Sequence, residues 1–313
     1  MNISNLNELL QTQMLNEGST SSVSGFAISL NELKHGFAFF SNDEEAINEA
    51  VQKGAFVIIS EKKLLLKDKE VFYLYCEDLS LAILKLIRFM CEEKELEFVL
   101  CEPLALDFCE VFYLERLSGE VFLDFSKLIN AKKKTLFFCD KELYLLRICA
   151  SFDTLRACEF TLLEHSSLFS TSFICKQMYF KNLALPFVYT SFFASFVNFI
   201  LEHNLRLRIK EKKLDFLQVY FINKNNEICE FGSSSRAFLL AKNELHFDFL
   251  ATHLSKVKGF KTAAKNTLFC DFSYSSLEDL KAYKDFRYCL IFENQEEFIS
   301  FFSQSLDIQP SLF

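Results

Sequence analysis

Glycine and proline are scarce in this chain, 7 and 3 among 313 residues. That leaves little material for flexible linkers or for loops that bring backbone amides against a phosphate. No two glycines lie within six residues of one another; Gly18 and Gly25 are seven apart. Neither G-x-x-x-x-G-K-[ST] nor G-x-G-x-x-G is present, which argues against ATP use through a P-loop. In a nucleotide enzyme of this layout the phosphates sit after an early strand, at a helix N-terminus. The corresponding strand, "EFVLC" (97–101), is followed by "EPLALDFCEVFYLE", which has no Gly or Lys and carries Glu102, Asp107 and Glu110. Carboxylates there repel a triphosphate.

Other absences narrow the field further. There is no C-x-x-C pair, and none of the five His lies at zinc-ligand spacing from a Cys, so no metal and no cofactor is expected. The eleven Cys occur singly, mostly inside apolar runs such as "LFFC", "TSFIC" and "TLFC". They read as small buried hydrophobes in a reducing, cytoplasmic setting. An excess of positive charge is also missing. The net charge of −8 and pI near 5.3 argue against broad nucleic-acid or anionic-membrane binding. The basic stretches "AKKKT" (131–135) and "RLRIKEKK" (206–213) are short and read as solvated turns or helix ends. The opening segment "MNISNLNELLQTQ" is polar, so no signal peptide is expected. The apolar run "LALPFVYTSFFASFVNFIL" (183–201) is broken by Pro186 and reads as a strand followed by a buried helix, not as a membrane span.

What is present is an α/β pattern. Half of the residues are apolar and 39 are Phe, enough for a sizeable Phe-packed core, while Trp is absent. "DEEAINEAVQKG" (43–54) reads as a helix with an acidic first turn and Gly54 past its end. "AFVIIS" and "VFYLY" read as strands, and "DLSLAILKLIRFMCEEK" (78–94) as an amphipathic helix capped by Asp78. "TLFFC" and "DKELYLLRICASF" read as strand and helix, and "EFTLLE", "TSFICKQMYF" and "LALP" as strands of a small meander. "YTSFFASFVNFILEHN" (189–204) reads as an apolar helix. "DFLQVYFI" and "EICEFG" flank the polar tetrad "NKNN" (223–226), a hairpin signal. "NELHFDFLATHLSKV" (243–257) reads as a helix. The chain closes strand "TLFCDF", helix "SLEDLKAYKDF", strand "RYCLIF", helix "NQEEFISFFSQSL", which implies a parallel sheet covered by helices.

Candidate chemistry is sparse. "GSSSR" (232–236) is not G-x-S-x-G and reads as a polar turn, although its serines and Arg236 can hold an anion. His165 and His203 sit at element ends, where solvent-facing or capping roles are common. Glu278 and Asp279 fall in a helix first turn, where they favour the dipole. "TLFCDFSYSS" brings Asp271, Ser273 and Tyr274 to a strand tip. Asp271, Tyr274 and Arg236 are the candidate ligand-binding residues; no catalytic residue is assigned.

Three stretches, in order, resemble the Mur ligase family, most closely its D-alanyl-D-alanine-adding member. "SLNELKHGFAFFSNDEEAINEAVQKGAFVIISEK" (29–62) is similar to the family's N-terminal pattern D-S-R-x-x-x-x-G-x-x-F followed by F-x-x-A-x-x-x-G-A, with Gly36, Phe39, Ala50, Gly54 and Ala55 in register. Ser29, Leu30 and Asn31 replace D-S-R, and the D-G-H loop is missing. "STSFICKQMYFKNLALPFVYTSFFASFVNFILEHNL" (170–205) resembles the run ending L-x-L-P-G-x-H-N-x-x-N, with Leu183, Leu185 and Pro186 kept and "FVYTSFF" in place of the polar group. "HLSKVKGFKTAAKNTLFCDFSYSSLEDLKAYKDF" (253–286) resembles V-x-G-R followed by D-D-S-Y-N-A-N-P. Gly259, Asp271, Ser273, Tyr274 and Ala282 match, whereas Phe260 replaces Arg, Cys270 replaces the first Asp and "SSLE" replaces N-A-N-P.

The resemblance implies three subdomains in Mur-ligase order: an N-terminal α/β domain (1–94), a shortened central domain without P-loop (95–210) and a Rossmann-like C-terminal domain with a preceding hairpin (211–313). The family members are ATP-dependent amide-bond enzymes of peptidoglycan precursor synthesis. With the phosphate and nucleotide-sugar motifs replaced, the expectation is a non-catalytic, cytoplasmic homologue. Its expected partner is a cell-wall synthesis protein or a peptidoglycan precursor, with no nucleic acid and no membrane span. The alternatives are an enzyme of unrelated chemistry on the same scaffold, and a purely structural interaction protein.

Overall fold

The computed structural model describes residues 1–63, 68–163, 168–210, 216–267 and 269–303. His165, residues 211–213 of the second basic stretch and the end of the last helical stretch lie outside the described residues. The chain divides into two compact units, Met1–Arg156 with Arg208–Lys210, and Ala157–Leu207 with Glu211–Phe313.

The first unit holds two sheets. In the five-stranded sheet, Gly25–Ala27, Phe37–Phe40, Val57–Ser60 and Phe72–Tyr75 run parallel in that spatial order, and Gln13–Met14 closes the edge antiparallel. The strand Val57–Ser60 is buried along its whole length because both faces are covered. Val57 and Ile59 join one core with Leu74, Leu86 and Phe98, while Ile58 faces Phe39, Ile47 and Tyr73 on the other side. The helix Glu44–Gln52 begins where the sequence indicates: Asp43 caps it by accepting from Glu45 N, with Glu44 and Glu45 in the first turn. Gly54 follows at φ +86°, where a Cβ would sit 2.6 Å from His35 Cδ2, so a glycine is required on both counts.

The helix Leu79–Glu93, capped by Asp78 onto Leu81 N, buries Ala82, Ile83, Leu86 and Ile87 in the core shared with the second sheet. That sheet is four-stranded and parallel, in the order Glu115–Arg116, Leu136–Cys139, Glu97–Leu100, Asp153–Thr154. Helices Val121–Asn130 and Glu142–Ile148 pack on it through Phe125, Leu128, Leu145 and Ile148.

The second unit holds a three-stranded antiparallel sheet and a six-stranded mixed sheet. Here the structure corrects several readings. "TSFICKQMYF" is a hairpin of Thr171–Cys175 and Met178–Leu183, joined by Lys176 and Gln177 at φ 47° and 64°. A two-residue turn with both φ positive is normally signalled by Asn-Gly, so Lys-Gln hides it. "LALP" is not a separate strand; it leads through the short turn Phe187–Tyr189 into the helix Thr190–Glu202, whose residues 192–200 are all buried. Of "TLFCDF", whose Leu268 lies outside the described residues, Phe272 alone is in the strand Phe272–Tyr274, and Phe260–Lys265 is a further strand that composition did not mark. The six-stranded order is Ile228–Cys229, Gln218–Ile222, Arg236–Leu240, Tyr288–Ile291, Phe260–Lys265, Phe272–Tyr274. The last four run parallel, as the β-α-β-α close implies, and the "NKNN" hairpin forms the antiparallel edge. Helices Leu277–Ala282 and Gln295–Ser303 cover a core of Phe238, Tyr274, Leu280, Phe286, Cys289 and Phe298.

Candidate functional site

In parallel α/β sheets ligands bind beyond the carboxyl ends of the strands, so those ends are the places to look for chemistry. At the end of Glu97–Leu100 the chain stays hydrogen-bonded to its neighbour through Cys101 N and Cys139 O, 3.0 Å apart, and then turns. Ala105 N donates to Glu102 O (2.9 Å), and Leu106 N to Glu102 O and Pro103 O (3.2 and 3.3 Å). Phe108 N donates to Ala105 O (2.9 Å) and Cys109 N to Leu106 O (3.1 Å). These amides point into the chain's own carbonyls. The following helix, Phe108–Val111, has four residues and buries Phe108, Cys109 and Val111.

The carboxylates at this edge are held by local cations. Asp107 Oδ1 accepts from Arg116 Nη1 at 3.2 Å, and Glu110 pairs with Lys210. The Lys210 ammonium holds the exposed Glu110 carboxyl below the usual glutamate range. Lys210 N also donates to Val111 O at 2.9 Å, so the returning segment Arg208–Lys210 lies on this edge. Burial pushes the Cys101 thiol up to about 12, with Asp140, Cys139 and Glu102 adding to it, so the thiol stays protonated and is a poor nucleophile.

Beside this edge the buried carboxylate of Asp124 accepts from Ser118 N (2.9 Å) and Gly119 N (3.0 Å), fixing the loop before the helix Val121–Asn130. Burial and the neighbouring Asp124 push the Tyr144 phenol well up, so it remains neutral. Asp124 escaped sequence reading; its signal is a lone carboxylate on the apolar face of "VFLDFSKLI".

The five-stranded sheet ends in polar groups that bind one another. Asn42 Oδ1 accepts from Ser60 Oγ (3.1 Å) and Glu61 N (2.9 Å), and Glu61 Oε1 accepts from Leu79 N at 2.6 Å. Leu30 O takes up Lys53 Nζ at 3.4 Å. Asn42 and Glu61 thus tie strand ends to the start of the helix Leu79–Glu93, while Leu30, in the triplet that replaces D-S-R, accepts from Lys53 at the end of the helix Glu44–Gln52.

"FVYTSFF" supplies Tyr189 to a buried pair. Tyr189 Oη lies 2.5 Å from His246 Nε2 and 3.3 Å from Phe216 O. His246 Nδ1 accepts from Lys242 N at 3.0 Å, so the ring proton belongs on Nε2, donating to Tyr189, whose hydroxyl then donates to Phe216 O. His246 also occupies the start of its helix, its amide donating to Asn243 Oδ1 at 2.8 Å. His203, by contrast, sits at a helix end, its Nδ1 2.9 Å from Phe199 O.

Asp271, Tyr274 and Arg236 have separate partners. Asp271 accepts from Thr262 N (2.8 Å), Thr262 Oγ1 (3.1 Å) and Lys261 Nζ (3.1 Å). Burial pushes its carboxyl up, but these donors outweigh that and hold it below the usual aspartate value. Tyr274 is buried and donates to Glu293 Oε1 at 2.7 Å; burial, then that bond and the Glu293 charge, push its phenol well up. Arg236 donates to Asn223 O (3.0 Å) and Asn226 Oδ1 (3.4 Å) across the "NKNN" turn, beside the Phe286 ring. Arg236 lies at the starting end of the parallel strands and Tyr274 at their carboxyl end, so the three do not converge. In "GSSSR", Ser234 Oγ bridges Ile222 O and Arg236 O at 2.7 and 2.8 Å, the bonding of a turn.

Together, the parallel sheets with their helices define an α/β protein of Mur-ligase-like fold. The chain superposes on the MurF ligase from Thermotoga maritima in complex with ADP with TM-score 0.51 and 10% identity, over 88% of this chain and 96% of that one. It superposes on MurF from Acinetobacter baumannii with TM-score 0.52 and 12% identity, over 95% and 90%. No family model and no curated protein matches the sequence. Among the described residues no helix is long and apolar enough to cross a membrane.

Proposed function

We propose that this chain is a Mur-ligase-fold protein without ligase chemistry, acting as a binding factor connected with peptidoglycan precursor synthesis. Its three subdomains are 1–94, 95–210 and 211–313; each of the four sheets falls within one of these ranges, which supports the division. The observation that carries the functional reading is the edge after Glu97–Leu100. Phosphoryl transfer is almost wholly positioning and charge stabilisation: amides and cations around the phosphates, and a metal ion. Here the amides of Ala105, Leu106, Phe108 and Cys109 are engaged by carbonyls, and the side chains are the carboxylates of Glu102, Asp107 and Glu110, with Arg116 and Lys210 already paired to Asp107 and Glu110. A triphosphate entering this edge meets four amides already bonded and two cations already neutralised by carboxylates.

Binding is the activity that such a scaffold retains. Asp271, Tyr274 and Arg236 enter this reading as groups that hold the C-terminal sheet together. The partner is a cell-wall synthesis protein or a peptidoglycan precursor, met in the cytoplasm. Capture with the tagged full chain, together with equilibrium dialysis against a UDP-linked muramyl peptide, tests it. Recovery of a peptidoglycan-synthesis enzyme, or saturable uptake of the precursor, is expected. The absence of both enzyme recovery and precursor uptake would contradict the reading.

A further inference from the structure

Eight of the eleven cysteines are buried, and most are enclosed by apolar neighbours. One pair differs. Cys158 Sγ and Cys175 Sγ stand 3.5 Å apart, 17 residues apart in sequence. Cys175 ends the strand Thr171–Cys175, immediately before the Lys176–Gln177 turn, and is buried. Cys158 is half-buried on the irregular segment that precedes the strand Thr161–Leu162. One sulfur is thus fixed by a hairpin, and the other is accessible on backbone without ladder bonds. We propose that Cys158 and Cys175 form a reversible redox-modification site, in which hydrogen peroxide joins the two thiols as an intramolecular disulfide.

The Cys158 sulfur, as thiolate, attacks one peroxide oxygen and breaks the O–O bond; it becomes a sulfenic acid, and the other oxygen leaves as hydroxide, which takes up the proton the Cys158 thiol had released and becomes water. The Cys175 sulfur then attacks the Cys158 sulfur, forming the S–S bond and expelling the sulfenic oxygen as a second water, which takes up the Cys175 proton. Two thiols are oxidised by two electrons, and one peroxide is reduced to two waters. Cys158 is the half-buried sulfur and meets peroxide first, while the buried Cys175 stands behind it as the resolving group; burial, then the bond to and charge of Cys158, push the Cys175 thiol up to about 12, so the resolving step is slow and quickens as pH rises. A disulfide needs the sulfurs about 2.0 Å apart. The irregular backbone at Cys158 lets that sulfur close the gap without disturbing the hairpin. Re-reduction by a small dithiol returns both thiols.

The structural consequence is local. Thr161–Leu162 is a two-residue strand held on Phe173 and Ile174, with Leu163 N donating to Ser172 O at 2.9 Å. A covalent link beside it anchors this short edge to the hairpin.

Peptide mapping of the full chain tests the proposal. Trypsin cuts after Arg156 and Lys176 and leaves both cysteines on one peptide, and glutamyl cleavage after Glu159 and Glu164 separates a Cys158 half from a Cys175 half. After peroxide treatment and alkylation, the two halves are expected to stay joined, lighter by two hydrogen atoms and free of alkyl groups, and to separate on reduction. The Leu163 amide is expected to exchange more slowly in the oxidised protein. In Cys175→Ser, Cys158 is expected to stop as a sulfenic acid trapped by dimedone; the wild-type mapping stands even where this variant fails to fold. The proposal is overturned if both thiols remain alkylatable after other half-buried cysteines have reacted. It is overturned equally if Cys158 pairs between two chains, or advances to sulfinic acid while Cys175 stays free.

Discussion

Asp271 gathers three donors from one neighbouring strand, and its carboxylate takes the place of a ladder carbonyl for Thr262 N. Its folded value lies below the ordinary one of about 3.9. The native state therefore binds this proton less tightly than the unfolded chain does. The stabilisation is complete above the unfolded value and is lost as pH falls through the folded one. Asp271→Asn should lower the urea midpoint at neutral pH, and the gap to wild type should narrow below about pH 4; a gap independent of pH contradicts this role. Tyr274→Phe removes the bond to Glu293 and should cost about 1 kcal/mol in urea unfolding. Some residues declared themselves in the sequence. Asp43, Asp78 and Gly54 did so because capping and left-handed backbone restrict the residue type. Asp124 and His246 did not, because a buried polar group is defined by partners distant in the sequence or by loop geometry that no local pattern encodes.

At the scale of elements, the legible ones carried a strong period or a cap. The helix Leu79–Glu93 has both, and Asp78→Ala should destabilise the protein by about 1 kcal/mol, read from the denaturant midpoint. The strand Phe260–Lys265 was hidden because "FKTAAK" has few β-branched or apolar residues; it is a strand because Tyr288–Ile291 and Phe272–Tyr274 flank it on either side. Gly259 precedes it at φ +75°, accepting from Arg287 N at 2.8 Å, with room for no Cβ beside Arg287. The Lys176–Gln177 turn was hidden for the opposite reason: its backbone is left-handed but its residues are not those that prefer it. Gln177→Gly should therefore stabilise the protein by about 1 kcal/mol, seen as a higher denaturant midpoint; a loss of stability contradicts the turn.

For the whole molecule, the α/β class was legible because most of the chain alternates apolar strands with helices, and the closing β-α-β-α run announced its parallel sheet. The candidate ligand set was less so. Asp271, Tyr274 and Arg236 keep family-like or polar positions in the chain, but the register of the parallel strands sends Arg236 and Tyr274 to opposite ends of the sheet. At the edge after Glu97–Leu100, carbonyls engage the amides of Ala105, Leu106, Phe108 and Cys109, and Asp107 and Glu110 occupy the cations Arg116 and Lys210. Calorimetric titration of the full chain with Mg-ATP at millimolar concentration tests this arrangement most directly. No saturable heat and no change in melting temperature are predicted; a saturable isotherm that Mg-ADP competes away would contradict the account.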